Sequence, residues 1–251
     1  MGSVVAGRRL AIGALLLVGG LIGGCAQGGK RAVPEPPTRT LDGLISSPSS
    51  AGALFIKPDH NLAGYDEIFF EPVKIFYRRG HKALEAREEA ALLRTLERGE
   101  RERARDAGMR VASVPGPCAV SLRFYIADLE LTEIGSSSVS QTIFVATVGT
   151  VALIADIRDS ETGEALLRFG QRRTVLGGDL PGPPHAVAIS RLRKTLDTML
   201  SDFGTELLEV IPRSPPQPPV SSECSGYFRA IGNATTGARD ATARFLLEPV
   251  S

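Results

Sequence analysis

Apolar positions along the chain fall into blocks of different period, and each period predicts an element. Ile189, Leu192, Leu196, Met199, Phe203, Leu207 and Val210 recur every three or four residues, one continuous helical stripe from His185 to about Ile211. This stripe reads as core packing rather than as a partner-binding face. Leu84 to Ala107 is a second helix, in which Leu92, Leu93 and Leu96 keep helical spacing before three turns that are almost wholly charged. Gly108 supplies its C-cap. Period two marks the strands. Val120, Leu122, Phe124 and Ile126 occupy even positions, then Leu129 and Leu131 continue on odd ones. One extra residue near Ala127-Asp128, a β-bulge, restores a single face along Ala119 to Glu133. Ile143 to Ile157 is apolar on both faces and rich in Val, Ile and Thr, the pattern of a buried central strand.

Shorter signals complete the order. Tyr65 to Tyr77 reads as a strand whose phase slips at Pro72, which cannot donate to a ladder and so marks an edge or a bulge. Met109 to Val114 is a short strand, closed by the turn Pro115-Gly116-Pro117. Asp159 to Gly163 is a hairpin turn with Gly163 available for positive φ, and Ala165 to Leu176 is the return strand. The polar stretch 135–140 and the stretch 177–184 (GGDLPGPP) read as loops. The predicted fold is α+β, ordered β-α-β-β-β-β-α: a two-layer sandwich in which a mainly antiparallel sheet of about five strands carries two helices on one face. The even positions of Ala119–Ile126 should meet the stripe of the last helix in the core.

The amino terminus carries a targeting pattern. Arg8 and Arg9 precede an apolar run of about 13 residues from Leu10 to Ile22, too short for a spanning helix, which needs about 20. The length fits the h-region of a secretory signal better than an uncleaved anchor. A twin-arginine signal is the weaker alternative, because Leu10-Ala11-Ile12 matches it poorly. Gly24 to Lys30 imitates a phosphate-binding loop but has no Ser or Thr after the lysine and no strand before it. Leu21-Ile22-Gly23-Gly24-Cys25 resembles the lipobox of bacterial lipoproteins, in which small residues precede an obligatory cysteine. That resemblance implies cleavage before Cys25 and lipid on its thiol. Two or three acyl chains on one residue give a lasting hold, since each buried methylene contributes about 0.8 kcal/mol. Ala26 stands where enteric lipoproteins retained at the inner membrane carry aspartate, which implies the outer membrane, facing the periplasm.

The domain boundaries follow: residues 1–24 a signal peptide, 25–52 a flexible Gly-, Pro- and Ser-rich tether, 53–212 the α+β domain, and 213–251 a Pro-rich linker and tail. Within that frame three stretches, LAGYDEIFFEPVKIF (62–76), GPCAVSLRFYIADL (116–129) and GTVALIADIRDSETGEALL (149–167), resemble an uncharacterised family of proteobacterial lipoproteins, domain of unknown function 3313. The resemblance covers roughly 52–210 and carries over no activity. The chain departs from it in having no tryptophan in the last helix and in the Pro-rich extension after Ile211.

Composition narrows the chemistry. Lys plus Arg total 29 against 28 Asp plus Glu, a net charge of +1 that argues against nucleic acid. The arginines of 94–105 interleave with glutamates, which favours a solvated helix face over a basic binding patch. No Gly-x-Ser-x-Gly, His-Glu-x-x-His or Cys-x-x-Cys occurs. His60, His81 and His185 are scattered and read as solvent-facing or capping residues. Asp156, Asp159, Glu161 and Glu164 have the wrong spacing for an EF-hand, with Arg158 at a ligand position. No catalytic, metal or cofactor residue is therefore assigned. The expected role is a non-enzymatic periplasmic module that binds another envelope protein or lipid. An enzyme acting on envelope glycan or lipid is the alternative, and a cleft that sets Asp128, Glu130 or Glu133 against a histidine would favour it. A ligand-free spacer is a third reading. With Cys25 consumed by lipid, Cys118 and Cys224 remain, either bridged or as unrelated thiols. A bridge would pin an otherwise undocked tail to the sheet.

Overall fold

The computed structural model describes residues 38–131, 147–177, 184–215 and 217–234. Among these, eight strands form one sheet: β1 Ile45–Ser47, β2 Ala53–Ile56, β3 Glu67–Phe70, β4 Lys74–Tyr77, β5 Arg110–Ala112, β6 Ala119–Leu131, β7 Thr147–Asp159 and β8 Ala165–Leu176. The spatial order is β1-β2-β8-β7-β6-β3-β5, and β4 also lies along β6. Helix α1, Ala86–Asp106, and helix α2, Pro184–Val210, carry the apolar residues that cover it.

The sheet is larger than the five strands expected, for two physical reasons. Pro72 splits the Tyr65–Tyr77 strand, so β3 and β4 run as separate pieces along the same edge of β6. They are parallel to β6, as β5 is to β3, so the sheet is mixed. The second reason lies around the boundary between the stretch read as tether and the domain. β1, within 25–52, pairs with β2 at the start of the domain, and β2 with β8, because Leu44, Leu54 and Ile56 find apolar cover despite the Ser- and Gly-rich sequence around them.

The long strands follow their sequence pattern. The β6–β7 register shifts between Ala127 and Glu130, with Asp128 at φ 53°, and Leu129 returns to the buried face. Asp tolerates this left-handed conformation better than most residues. Opposite the bulge stands Gly149, where a Cβ would collide with the Glu130 carbonyl. β7 is central, between β6 and β8. The predicted strand start, 143–146, lies outside the described residues, as do the loops 135–140 and 178–183. Leu192, Leu196, Met199, Phe203, Leu207 and Val210 of α2 are all buried. Phe203 meets Phe124 edge-on at 5.4 Å between centroids and Phe169 at 5.8 Å. The even face of β6 and the α2 stripe thus share one core.

Helix α1 opens on a reciprocal capping box between Glu85 and Glu88. Gly108 at φ 80° closes it, with the Met109 amide donating to the Ala104 carbonyl at 2.8 Å. After α2 a 3-10 turn, Ile211–Arg213, leads into a segment that lies on the domain rather than hanging from it. Pro218 accepts from Asn61 at 2.7 Å, and residues 227–234 are helical. The tail was expected to have no docking of its own, yet Phe228 is fully buried and its amide donates to the Tyr65 carbonyl at 3.0 Å.

Candidate functional site

The three stretches that carry the family resemblance converge at one end of the sheet. The Tyr65 hydroxyl donates to Asp159 Oδ2 at 2.6 Å, while Oδ1 of the same carboxylate accepts from the Glu161 and Thr162 amides at 3.0 and 2.7 Å. Burial pushes the Asp159 carboxyl up, but the Thr162 amide, the Tyr65 hydroxyl and the Thr162 hydroxyl outweigh it and hold the group below its ordinary range. Ser160 Oγ donates to the Gly116 carbonyl at 2.6 Å and accepts from its amide at 3.0 Å. Asp66 turns the other way. Its carboxylate accepts from the Ser225 amide and hydroxyl and the Tyr227 amide, all at 2.7–2.9 Å, which opens the helical segment of the tail. Burial raises this carboxyl too, and the Ser225 and Tyr227 donors bring it below the ordinary value.

Cys118 and Cys224 are joined by a disulfide here, with their α-carbons 5.3 Å apart. His60 belongs to the same end. It is 5% exposed and so is not the solvent-facing residue expected. Loss of hydration pushes its imidazole down to about 4, with Asp59 opposing. Its Nδ1 lies 3.3 Å from Ser214 Oγ, and that oxygen accepts from the Ala63 amide at 3.1 Å. Tyr65, Asp66, Asp159, Ser160 and His60 are each tied to another side chain or to backbone, which is the work of a clasp.

The acidic group singled out in the sequence does not gather around a cation. Asp156 is buried and held by Arg158 at 2.7 Å and Arg168 at 3.1 Å, while Glu164 pairs with Lys57 at 2.8 Å. Among the described residues no group of three or more His, Cys, Asp or Glu is placed to hold a metal ion. No described helix is long and apolar enough to cross a membrane.

The enzyme alternative can be located. His81 Nε2 stands 3.6 Å from Glu130 Oε1, so one of the named carboxylates does face a histidine. Arg78 pairs with the Glu130 carboxylate as well, and Asp128 pairs with Arg172. Glu133 and Cys25 lie outside the described residues, as does the side chain of His185.

Between α1, α2 and the sheet is a crevice of about 220 Å³. Phe70, Leu122 and Phe124 form its floor, and Phe203 and Leu207 one wall. Glu100 enters from α1 and is 5% exposed, and its Oε2 has no hydrogen-bond partner. Burial, reinforced by Glu97 and opposed by Arg101 and Arg103, pushes its carboxyl up to about 8. The charged run of α1 is therefore not a uniformly solvated face. The signal was in the spacing: Leu92, Leu96, Glu100 and Ala104 stand four apart, so Glu100 continues the buried stripe. Its neighbour Arg103 is engaged by Asp197 of α2.

A mixed α+β sheet backed by two helices and latched at one end is the class that fold and site define. The chain belongs to family DUF3313, proteins of unknown function, whose model matches residues 39–203. A search of curated proteins finds no match. Solved structures similar to this chain include a point-variant PelC dodecamer from Paraburkholderia phytofirmans, 16% identical with a TM-score of 0.31, covering 62% of this chain and 95% of that one. Rare lipoprotein B from Shewanella oneidensis is also 16% identical, with a TM-score of 0.27 over 57% of this chain and 94% of that one. Lipoprotein GNA1162 from Neisseria meningitidis is 10% identical, with a TM-score of 0.29 over 54% and 98%. These are distant likenesses.

Proposed function

We propose that the protein is a lipid-anchored periplasmic module that binds rather than catalyses. Cys25 carries the acyl chains, outer-membrane placement follows from Ala26, and the Gly-, Pro- and Ser-rich sequence after Cys25 serves as the tether. One observation carries the binding role: the crevice under α1 and α2 is lined mainly by apolar side chains, while carboxylates that would serve as acids or bases elsewhere are engaged, Glu130 by Arg78 and Asp159 by its own turn. An envelope lipid or a protein presenting an apolar group is the partner this site fits.

Two measurements test the parts separately. In cells fed an alkyne analogue of palmitate, the wild-type chain should be tagged and Cys25→Ala should not; an untagged wild type sinks the anchor. Crosslinking in cells followed by mass spectrometry should recover a reproducible envelope partner bridged to α1 or α2. Turnover of purified envelope glycan or lipid that His81→Ala and Glu130→Gln abolish would instead establish the enzyme.

A further inference from the structure

The crevice is lined mainly by apolar side chains; Arg103, Ser201 and Thr205 reach its rim, and Glu100 is the buried polar residue of its lining. A buried carboxyl oxygen without a partner bears its desolvation uncompensated, and such an atom in a folded protein calls for an explanation. The nearby cations do not supply one. Arg103 is engaged by Asp197, and the Arg101 guanidinium sits 5.8 Å over the Phe70 ring while Nη1 donates to the Glu97 carbonyl. The space itself is real at the level of single atoms. Gly204 of α2 lines it, and a Cβ built there meets nothing within 4 Å. At about 220 Å³ it exceeds the roughly 150 Å³ of an apolar cavity able to hold benzene.

We propose that the crevice binds a small uncharged amphiphile, a ring or short chain lying between Phe124, Phe203 and Leu207 and ending in a hydroxyl that donates to Glu100 Oε2. This rests on the reading of the domain as a binding module. The head group follows from the surroundings. An ionised carboxylate would bring a full charge into an apolar space and meet the repulsion of Glu97. An ammonium would bring a full charge into an apolar space, where ion pairing scarcely offsets dehydration. A neutral hydroxyl meets the orphan oxygen at little cost, and the raised proton affinity of Glu100 keeps the site itself uncharged near neutrality.

The full-length lipidated chain in phospholipid nanodiscs allows a direct test. The probe is a benzyl alcohol bearing a trifluoromethyl diazirine, with its methyl ether, one methyl group larger, as the probe that lacks the donor. After illumination, the labelled fraction of the α2 peptide spanning 200–208 is read by mass spectrometry. Saturable labelling by the alcohol is expected, displaced by unlabelled benzyl alcohol and exceeding that of the ether by about fivefold or more, the size of one net hydrogen bond. Glu100→Leu should bring the alcohol down to the ether's level without lowering the ether, and Glu100→Gln, which keeps an acceptor oxygen, should retain the difference. Gly204→Leu, which fills the space, should suppress both probes. Equal labelling by alcohol and ether in the wild type overturns the head-group assignment while leaving the crevice a binding site. Absence of saturable labelling by either probe overturns the assignment and the binding role together.

Discussion

The clasp and the crevice treat buried polar groups in opposite ways. At the clasp Asp66, Asp159 and His60 are each given donors or acceptors by a neighbour distant in sequence, and the carboxyls sit below their ordinary range. At the crevice Glu100 is buried among apolar side chains, an oxygen is left without a partner, and the carboxyl is pushed up. A protein gains stability from the first arrangement and loses it to the second. The difference separates a region that holds the chain together from one that has room for something else.

The largest expected effect comes from opening the clasp. The bridge closes a loop of 106 residues, and the chain-entropy account gives such a cross-link about 4–5 kcal/mol. The double variant Cys118→Ala/Cys224→Ala should lose stability of that order in urea titrations. Hydrogen exchange should show the loss of protection starting at 224–234, because the tail loses its tie to β6. Equal loosening of α2 and the tail would mean that clasp and crevice are one cooperative unit rather than two regions.

The pH profile sharpens the contrast. Glu100 holds its proton more tightly folded than unfolded, so its share of stability is complete below about pH 4.5 and is lost as pH rises towards 8. His60 works in the other sense: its pKa is depressed, so its share is complete above about 6.5 and is lost as pH falls towards 4. From 4.5 to 6.5 the two oppose. Between 6.5 and 8 Glu100 acts alone, facing Glu97, Arg101 and Arg103, and should remove about 2 kcal/mol. Glu100→Leu should abolish this alkaline decline while leaving the acid limb in place, as read by melting temperature across the range. A wild-type profile flat from 6.5 to 8 would show that Glu100 is hydrated.

A smaller loss is expected at the tail. Asp66→Ala removes the acceptor for three donors of 225–227, much as loss of a helix cap does, and should cost about 1–2 kcal/mol. Proteolysis of the 217–234 segment should accelerate while α1 and α2 stay protected.

These two regions were not equally legible. The α2 stripe, the bulge at Asp128, the β8 bounds and the Thr162-Gly163 turn could be read from period and turn chemistry, because each is set by residues a few positions apart. The parallel placement of β3 and β5 was not readable, since it depends on pairing partners tens of residues away. Nor were β1 and β2, whose Ser- and Gly-rich surroundings conceal Leu44, Leu54 and Ile56. Tyr65 and Asp66 stand side by side in the first of the family stretches, but their partners, Asp159 and 225–227, lie about 94 and 160 positions on. Glu100 was concealed by composition: one buried glutamate inside an Arg/Glu run looks like its solvated neighbours until the four-residue spacing from Leu96 is followed.

The smallest effect decides whether the crevice is kept open at a cost. Gly204 sits within α2, where glycine is less favourable than alanine by about 1 kcal/mol. Glycine in a packed helix is usually explained by a neighbour too close for a Cβ, but at this position nothing lies within 4 Å. No steric reason for the glycine is visible, and its effect is to widen the crevice. Gly204→Ala should therefore raise stability by about 0.5–1 kcal/mol, through helix propensity and the lower entropy of the unfolded chain. The same methyl narrows the space beside Phe203, so the gain in melting temperature should come with weaker labelling by the alcohol probe. Stabilisation with unchanged labelling would place the bound group away from α2, against Phe70 and Glu100; destabilisation would mean that α2 packs against α1 more tightly than the crevice implies.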